Sequence, residues 1–463
     1  MYDLAVKYGT IVTPDAAYIG NVYSKDGVIQ AVTSVEVEEP ALEMIDATGQ
    51  YVLPGVIDTH VHSRDPGPTH KEDFFHSTQA AAAGGVTTLF EMPNTNPPVS
   101  DQKNFEKQKA HLEAQAVIDF GLWGIYLGGF NEGELERLGE TGIIGFKHFW
   151  GYALNRDTYQ LVYDYDPKDP NVFMPAHEGQ IYSAMQTIAK TGRLLAVHAE
   201  NHHLIQEETA KIKQAGGSTY EDLLQARPHL AETLTVQTGL QLAERAGVHF
   251  HVLHVSAGES VEMIRKAQQR GQRVTVETCP HYLFLSAEDY ETVGPRMKIF
   301  PPVKYKSDQA KIWGGIADGT ISNVCSDHAP HTREEKEGDL WSIPAGSTGV
   351  ETMLPLMLNA VNEGKLSLEQ VVQLLSAGPA ELYEIDHQKG KIQAGLDADL
   401  VVVDMEQTCV IDENELHSKS KMSAYHGFNV QGMPVHTIAK GRVVMSNAQV
   451  TTETNGSLVS PKT

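Results

Sequence analysis

Short apolar runs alternate with turn formers in residues 1–53: "LAVKYGTIV", "YIGNVYSKDGVIQAV" and "EMIDATGQYVLPG". That pattern predicts short strands and a small β unit. Residues 386–463 repeat it in "KIQAGLDADLVVVDM", "TCVID" and "HTIAKGRVVMSN". The economical reading is one β-sandwich built from both ends of the chain. The tail "TTETNGSLVSPKT" is polar, and fraying is expected there.

Residues 54–385 follow a different pattern. Apolar strands end in polar residues, as in "GVTTLFEMPNT", "IGFKHFW", "LLAVHAE", "FHVLHVS", "RVTVETCPHYL" and "ISNVCSDHAPH". Helical stretches such as "HSTQAAAAGG" and "TVQTGLQLAERAG" lie between them. Strand–helix alternation implies a parallel sheet. The number of units fits an α/β fold of the (β/α)8 type, a TIM-like barrel with insertions. A doubly wound open sheet is the structural alternative. Polar residues at so many strand ends favour the barrel, because a barrel brings all those ends to one face.

Composition narrows the field. The chain has 463 residues, with 36 Lys+Arg against 60 Asp+Glu and a formal charge of −24. That balance argues against a broad grip on nucleic-acid phosphates. The three cysteines, Cys279, Cys325 and Cys409, form no zinc-ribbon or redox spacing. No apolar run has signal-peptide or membrane-span character, so a cytoplasmic protein with no membrane partner is expected.

The chemistry begins at "THVHS". Positions i and i+2 of a strand face the same way, so His60 and His62 point together as a ready metal-binding pair. His198, His254 and Asp327 stand at later strand ends. Taken singly, each has a bland reading: a solvated loop histidine, a satisfied core histidine, an N-cap aspartate. Their serial placement at strand ends points instead to one shared site. Lys147 in "GIIGFKHFW" is costly to bury as an ammonium unless it is paired or its charge is changed.

The order HxH, Lys, His, His, Asp resembles the cyclic amidohydrolases of the amidohydrolase superfamily. That group comprises the hydantoinases/dihydropyrimidinases, allantoinases and dihydroorotases. The resemblance implies two divalent metal ions, one held by His60, His62 and Asp327, the other by His198 and His254. Carbamylated Lys147 would bridge them, and a water or hydroxide would be shared. Zn2+ suits the mixed donor set, and Mn2+, Fe2+ or Co2+ would fit too. Asp327 would be the catalytic group, moving a proton from the nucleophile to the leaving nitrogen. A homodimer or homotetramer acting on a small cyclic amide is implied.

The substrate loops are mixed. "HVHSRDPG" resembles the dihydroorotase HxHLREPG element, with Arg64 on its carboxylate-binding arginine. "MPNTNP" places Asn94 on a substrate-binding asparagine, and "SDHAPHT" places His331 on a further carboxylate contact. "FKHFWGY" is similar to a hydantoinase element, with Tyr152 on an oxyanion-binding tyrosine. "FPPVK" departs from the dihydroorotase NPPLR: Phe300 replaces a ring-contacting asparagine, and Lys304 replaces an arginine. The expectation is ring opening of a cyclic ureide or imide, dihydroorotase-like, with a carboxylate on the substrate. Hydantoinase/dihydropyrimidinase or allantoinase activity is the alternative, and a non-catalytic scaffold is the alternative of another class.

Overall fold

The computed structural model describes residues 1–157, 160–162, 165–166 and 168–462. Among them, eight parallel strand positions run in chain order: β1 (Val56–Val61), β2 (Val86–Glu91), β3 (Asp119–Leu122, continued by Gly124–Ile125) and β4 (Phe146–Phe149). They continue as β5 (Leu195–His198), β6 (Phe250–Val252), β7 (Val274–Thr278) and β8 (Asn323–Val324). Each pairs with its sequence neighbour in parallel. A parallel bridge between Val61 and His328 returns the last strand position to the first and closes the barrel. His62 N donates to His328 O across that seam at 2.8 Å. Every residue of β1, β2 and β5 is buried. Helices cover the outside and side chains fill the inside, which is why these strands read as continuous apolar runs.

The loops at the carboxyl ends are long and well capped. After β1 the chain turns through residues 62–72, and Asp73 caps helix Phe74–Ala83 by accepting from His76 N at 2.9 Å. Helix His229–Ala246 ends at Gly247, whose left-handed φ of 74° suits a residue with no Cβ.

Both ends of the chain build one nine-stranded sheet among the described residues. Strand Tyr51–Pro54 joins the halves, pairing with Leu400–Val410 antiparallel and with Tyr2–Val12 in parallel. The sheet folds over a core that packs Leu4, Val6 and Val22 with Leu400, Val402 and Ile438.

The tail differs from expectation. Residues 456–462 do not fray: 457–459 lie along β3, and Lys462 N donates to Glu384 O at 2.9 Å. Phe120 N donates to Ser457 O at 3.1 Å, and Val459 N donates to Phe120 O at 2.8 Å. β4 meets β3 only at Gly124 and Ile125, so the lower part of β3 leaves backbone groups unpaired, and the tail satisfies them. Composition alone could not reveal that partner.

Barrel and terminal sheet are joined by a buried charge cluster. Lys389 Nζ lies 2.6 Å from Asp119 on β3, 2.8 Å from Asp397 and 2.6 Å from Asp399. Lys440 Nζ adds a second contact to Asp119 at 2.8 Å. Removing one ion from such a cluster leaves the others buried and uncompensated. Lys389→Met is therefore expected to cost on the order of 3–5 kcal/mol in urea unfolding. Adding Asp399→Asn should restore part of the loss.

Candidate metal centre and active site

A cavity of about 270 Å³ opens at the carboxyl ends of the strands. His60, His62, Lys147, His198, His254, Asp327, Arg64, Asn94, Tyr152, Phe300 and His331 all line it. The structure therefore brings together all the metal-ligand and substrate-contact candidates named from the sequence, but not Lys304.

Strand geometry explains the convergence. His60 lies within β1 and His62 just past it; Lys147 is on β4, His198 ends β5, and His254 and Asp327 follow β6 and β8. Three of the site residues hold positive φ despite their side chains: Arg64 at 66°, His254 at 35° and Asp327 at 46°. Such strain persists where surrounding structure over-determines it, commonly at functional sites.

The histidines are oriented from outside. His60 Nδ1 lies 2.6 Å from Glu277 Oε1, His62 Nδ1 lies 2.9 Å from Asn94 Oδ1, and His198 Nε2 lies 3.0 Å from Glu200 Oε2. Each outer oxygen accepts a ring proton. The opposite ring nitrogen is then left with its lone pair aimed into the cavity. His60 Nε2 lies 3.3 Å and His62 Nε2 lies 3.7 Å from Asp327 Oδ1. His198 Nδ1 faces His254 Nε2 at 3.2 Å. Lys147 Nζ stands among them, 3.4 Å from His60 Nε2.

The electrostatics agree with that geometry. Burial pushes His60 down to about 4 and holds His62 and His254 well below the usual imidazole range. These rings are neutral, as metal ligands must be. Burial pushes Asp327 up to about 7 and Lys147 down to about 8. Burial alone would raise Glu277, but His60 and His251 outweigh it and keep the carboxylate ionised. Inward lone pairs and a carboxylate around one buried space repel each other unless a cation lies between them. Ligand atoms of His60, His62 and Asp327 fall within 4.8 Å of one another, as a single ion requires.

The remaining residues form the wall. Arg64 Nη2 lies 3.4 Å from His331 Nε2, and its Nε donates to Pro330 O at 3.3 Å. The Tyr152 hydroxyl lies 3.4 Å from His198 Nε2. The Arg227 guanidinium stacks 3.4 Å from the Phe300 ring centre and pairs with Glu200. A continuous chain, His198–Glu200–Arg227–Phe300, thus ties a candidate ligand to the pocket wall. Lys304 points away, 2.5 Å from Ser256 Oγ.

Sequence reasoning missed Glu200 and Glu277. The signals were present: Glu200 follows His198 by two residues in "VHAE", and Glu277 sits on a strand in "VETC". Nothing in the linear pattern links Glu277 to His60, which lies 217 residues away.

The profile described as "Amidohydrolase family" matches residues 51–444. The chain belongs to the amidohydrolase family. It is 36% identical over 464 residues to an allantoinase of Rubrobacter xylanophilus, covering 100% of this chain and 98% of that one. It is 35% identical over 412 residues to a dihydroorotase of Methanosarcina acetivorans, covering 87% of this chain and 83% of that one. The solved L-hydantoinase (dihydropyrimidinase) from Arthrobacter aurescens superposes with a TM-score of 0.93 at 34% identity, covering 99% and 100%. The fold is thus the α/β barrel with a β-rich domain from both termini, and the protein is a hydrolase acting on cyclic amides. Among the described residues, no helix is long and apolar enough to cross a membrane.

Outer-layer partners that orient metal-binding imidazoles typically contribute about 10–100-fold to metal affinity. Glu277→Gln and Glu200→Gln should each weaken divalent-metal binding by about that factor in competition titrations with a chelating dye. Circular dichroism should show the fold retained.

Proposed function

We propose that the protein is a binuclear metal-dependent amidohydrolase that opens a cyclic ureide or imide bearing a carboxylate, in the manner of a dihydroorotase. The observation that carries the substrate class is the Arg64–His331 pair, 3.4 Å apart on the wall of the cavity that holds the histidine cluster. A guanidinium whose Nη2 faces the cavity can hold a carboxylate through charge-assisted hydrogen bonds. Asn94, engaged through Oδ1 with His62, keeps its amide nitrogen to donate to the ring.

In this reading His60, His62 and Asp327 would hold one ion, His198 and His254 would hold the other, and Lys147 as its carbamate would supply a carboxylate-like donor between them. The amine must be neutral to react with CO2, one proton leaving as the carbamate forms, and burial, which pushes Lys147 down to about 8, makes that neutral form accessible. Divalent ions bound here would polarise the scissile carbonyl and acidify a water. Asp327 would take the proton from the attacking water and hand it to the departing amide nitrogen. That transfer matters because an amide anion is a poor leaving group.

A second reading is hydantoinase-type specificity. It is favoured by Tyr152 on the cavity wall, a phenolic donor for a developing oxyanion.

The test is a panel of dihydroorotate, dihydrouracil, allantoin, hydantoin and 5-carboxymethylhydantoin, given to protein loaded with Zn2+, Mn2+ or Co2+. The carboxylate-bearing rings should be opened with the highest kcat/KM, and chelation should abolish turnover. Arg64→Met should cost about 100-fold on those rings, the worth of a charge-assisted pair, and far less on hydantoin. Equal losses on all rings would make Arg64 a structural residue. Fastest turnover of an uncharged ring would favour the second reading.

A further inference from the structure

Behind Phe300 lies a second, larger cavity of about 580 Å³. Phe300 and Leu161 line both chambers, so the ring of Phe300 is a partition between them. The described walls of the second chamber carry Lys213, Arg227 and Lys298, and no aspartate or glutamate. That bias is unexpected in a chain with 60 acidic against 36 basic residues.

The three cations are differently engaged. Arg227 stacks on Phe300 and is balanced by Glu200, which is not part of this wall. Lys298 is buried, and its ammonium donates to the carbonyl oxygens of Trp341, at 3.4 Å, and Ile343. Carbonyl dipoles hold that charge without cancelling it. Burial, with the nearby charge of Arg227, pushes Lys298 down to about 8. Lys213 Nζ sits 5.3 Å over the ring of Trp341. Ile205, Leu223 and Trp341 supply apolar surface between the charges. A concave chamber with low-dielectric walls and cations of one sign concentrates anions, even on a protein whose net charge repels them.

We infer that the second cavity is a subsite for an anionic arm of the cyclic substrate, with the ring at the histidine cluster and the arm passing Phe300 to meet Lys213 and Lys298. The inference rests on the cyclic-amide reading for the ring. It does not depend on Arg64 as the carboxylate handle. Phe300 sets which arms enter: a flat wall backed by a guanidinium admits a slender chain alongside it and blocks bulk on the ring itself.

The test uses calorimetric binding to the metal-loaded full chain. The probes are 5-(ω-carboxyalkyl)hydantoins of increasing arm length, each against its carboxamide. At the longer arms the acid should bind about tenfold more tightly than the amide, and the advantage should shrink as salt screens it. Lys213→Glu, a change at an exposed side chain, should bring the acid-to-amide ratio to one or below, with Lys213→Met intermediate. Equal affinity of acid and amide at every length overturns the subsite. So does an acid preference that survives Lys213→Glu, which would assign it to Arg64 and His331, and so does failure of every arm-bearing probe to bind. Turnover of the same probes separates the two readings. Rings opened without an acid preference sink the subsite alone, and a Lys213-dependent acid preference with no ring opened sinks the hydrolase reading alone.

Discussion

The active end of this barrel depends on one electrostatic constraint: several neutral imidazoles and a carboxylate point into the same buried space. Their outer nitrogens are anchored by Glu277, Asn94 and Glu200, so the inner lone pairs cannot turn away. Buried polar groups left without partners are costly. Positive charge at the centre turns that mutual repulsion into coordination. Lys147 Nζ lies 3.4 Å from His60 and can supply such charge, and its burial makes the ammonium easy to relinquish. Arg64, His254 and Asp327, which line this space, also hold positive φ, a strain that persists where surrounding structure over-determines the backbone.

The pocket wall is not independent of this centre. Glu200 touches His198 on one side and Arg227 on the other, and Arg227 lies flat on Phe300. Ionised Glu200, held down to about 2 against its burial chiefly by Arg227, is the pivot. A change at the wall is therefore felt at a ring that faces the centre. Allantoinase, dihydroorotase and L-hydantoinase relatives all match at 34–36% identity. Whole-chain likeness does not rank these activities, because barrel and sheet dominate the count while a few loop side chains select the substrate.

The terminal sheet and tail hold the barrel in shape. The Lys389 cluster and the tail strand both meet β3, where pairing within the barrel is interrupted. β3 feeds directly into the Gly124–Ile125 contact with β4, which carries Lys147. Elements remote from the chemistry thus support the strand that presents its central residue.

Periodicity was enough to indicate the barrel and the terminal β unit, since strands and helices repeat over short windows, and it put the candidate ligands on or just after barrel strands. Local signals of that kind survive in a linear reading. The partners of those residues do not. That Glu277 reaches His60, that Asn94 faces His62 as well as the pocket, and that a polar tail completes β3 are contacts between distant segments. The same holds for Phe300, whose identity was legible but whose place as a wall between two chambers was not. Barrel closure decides these contacts, because only a closed sheet brings strand ends that are far apart in the chain within hydrogen-bond distance.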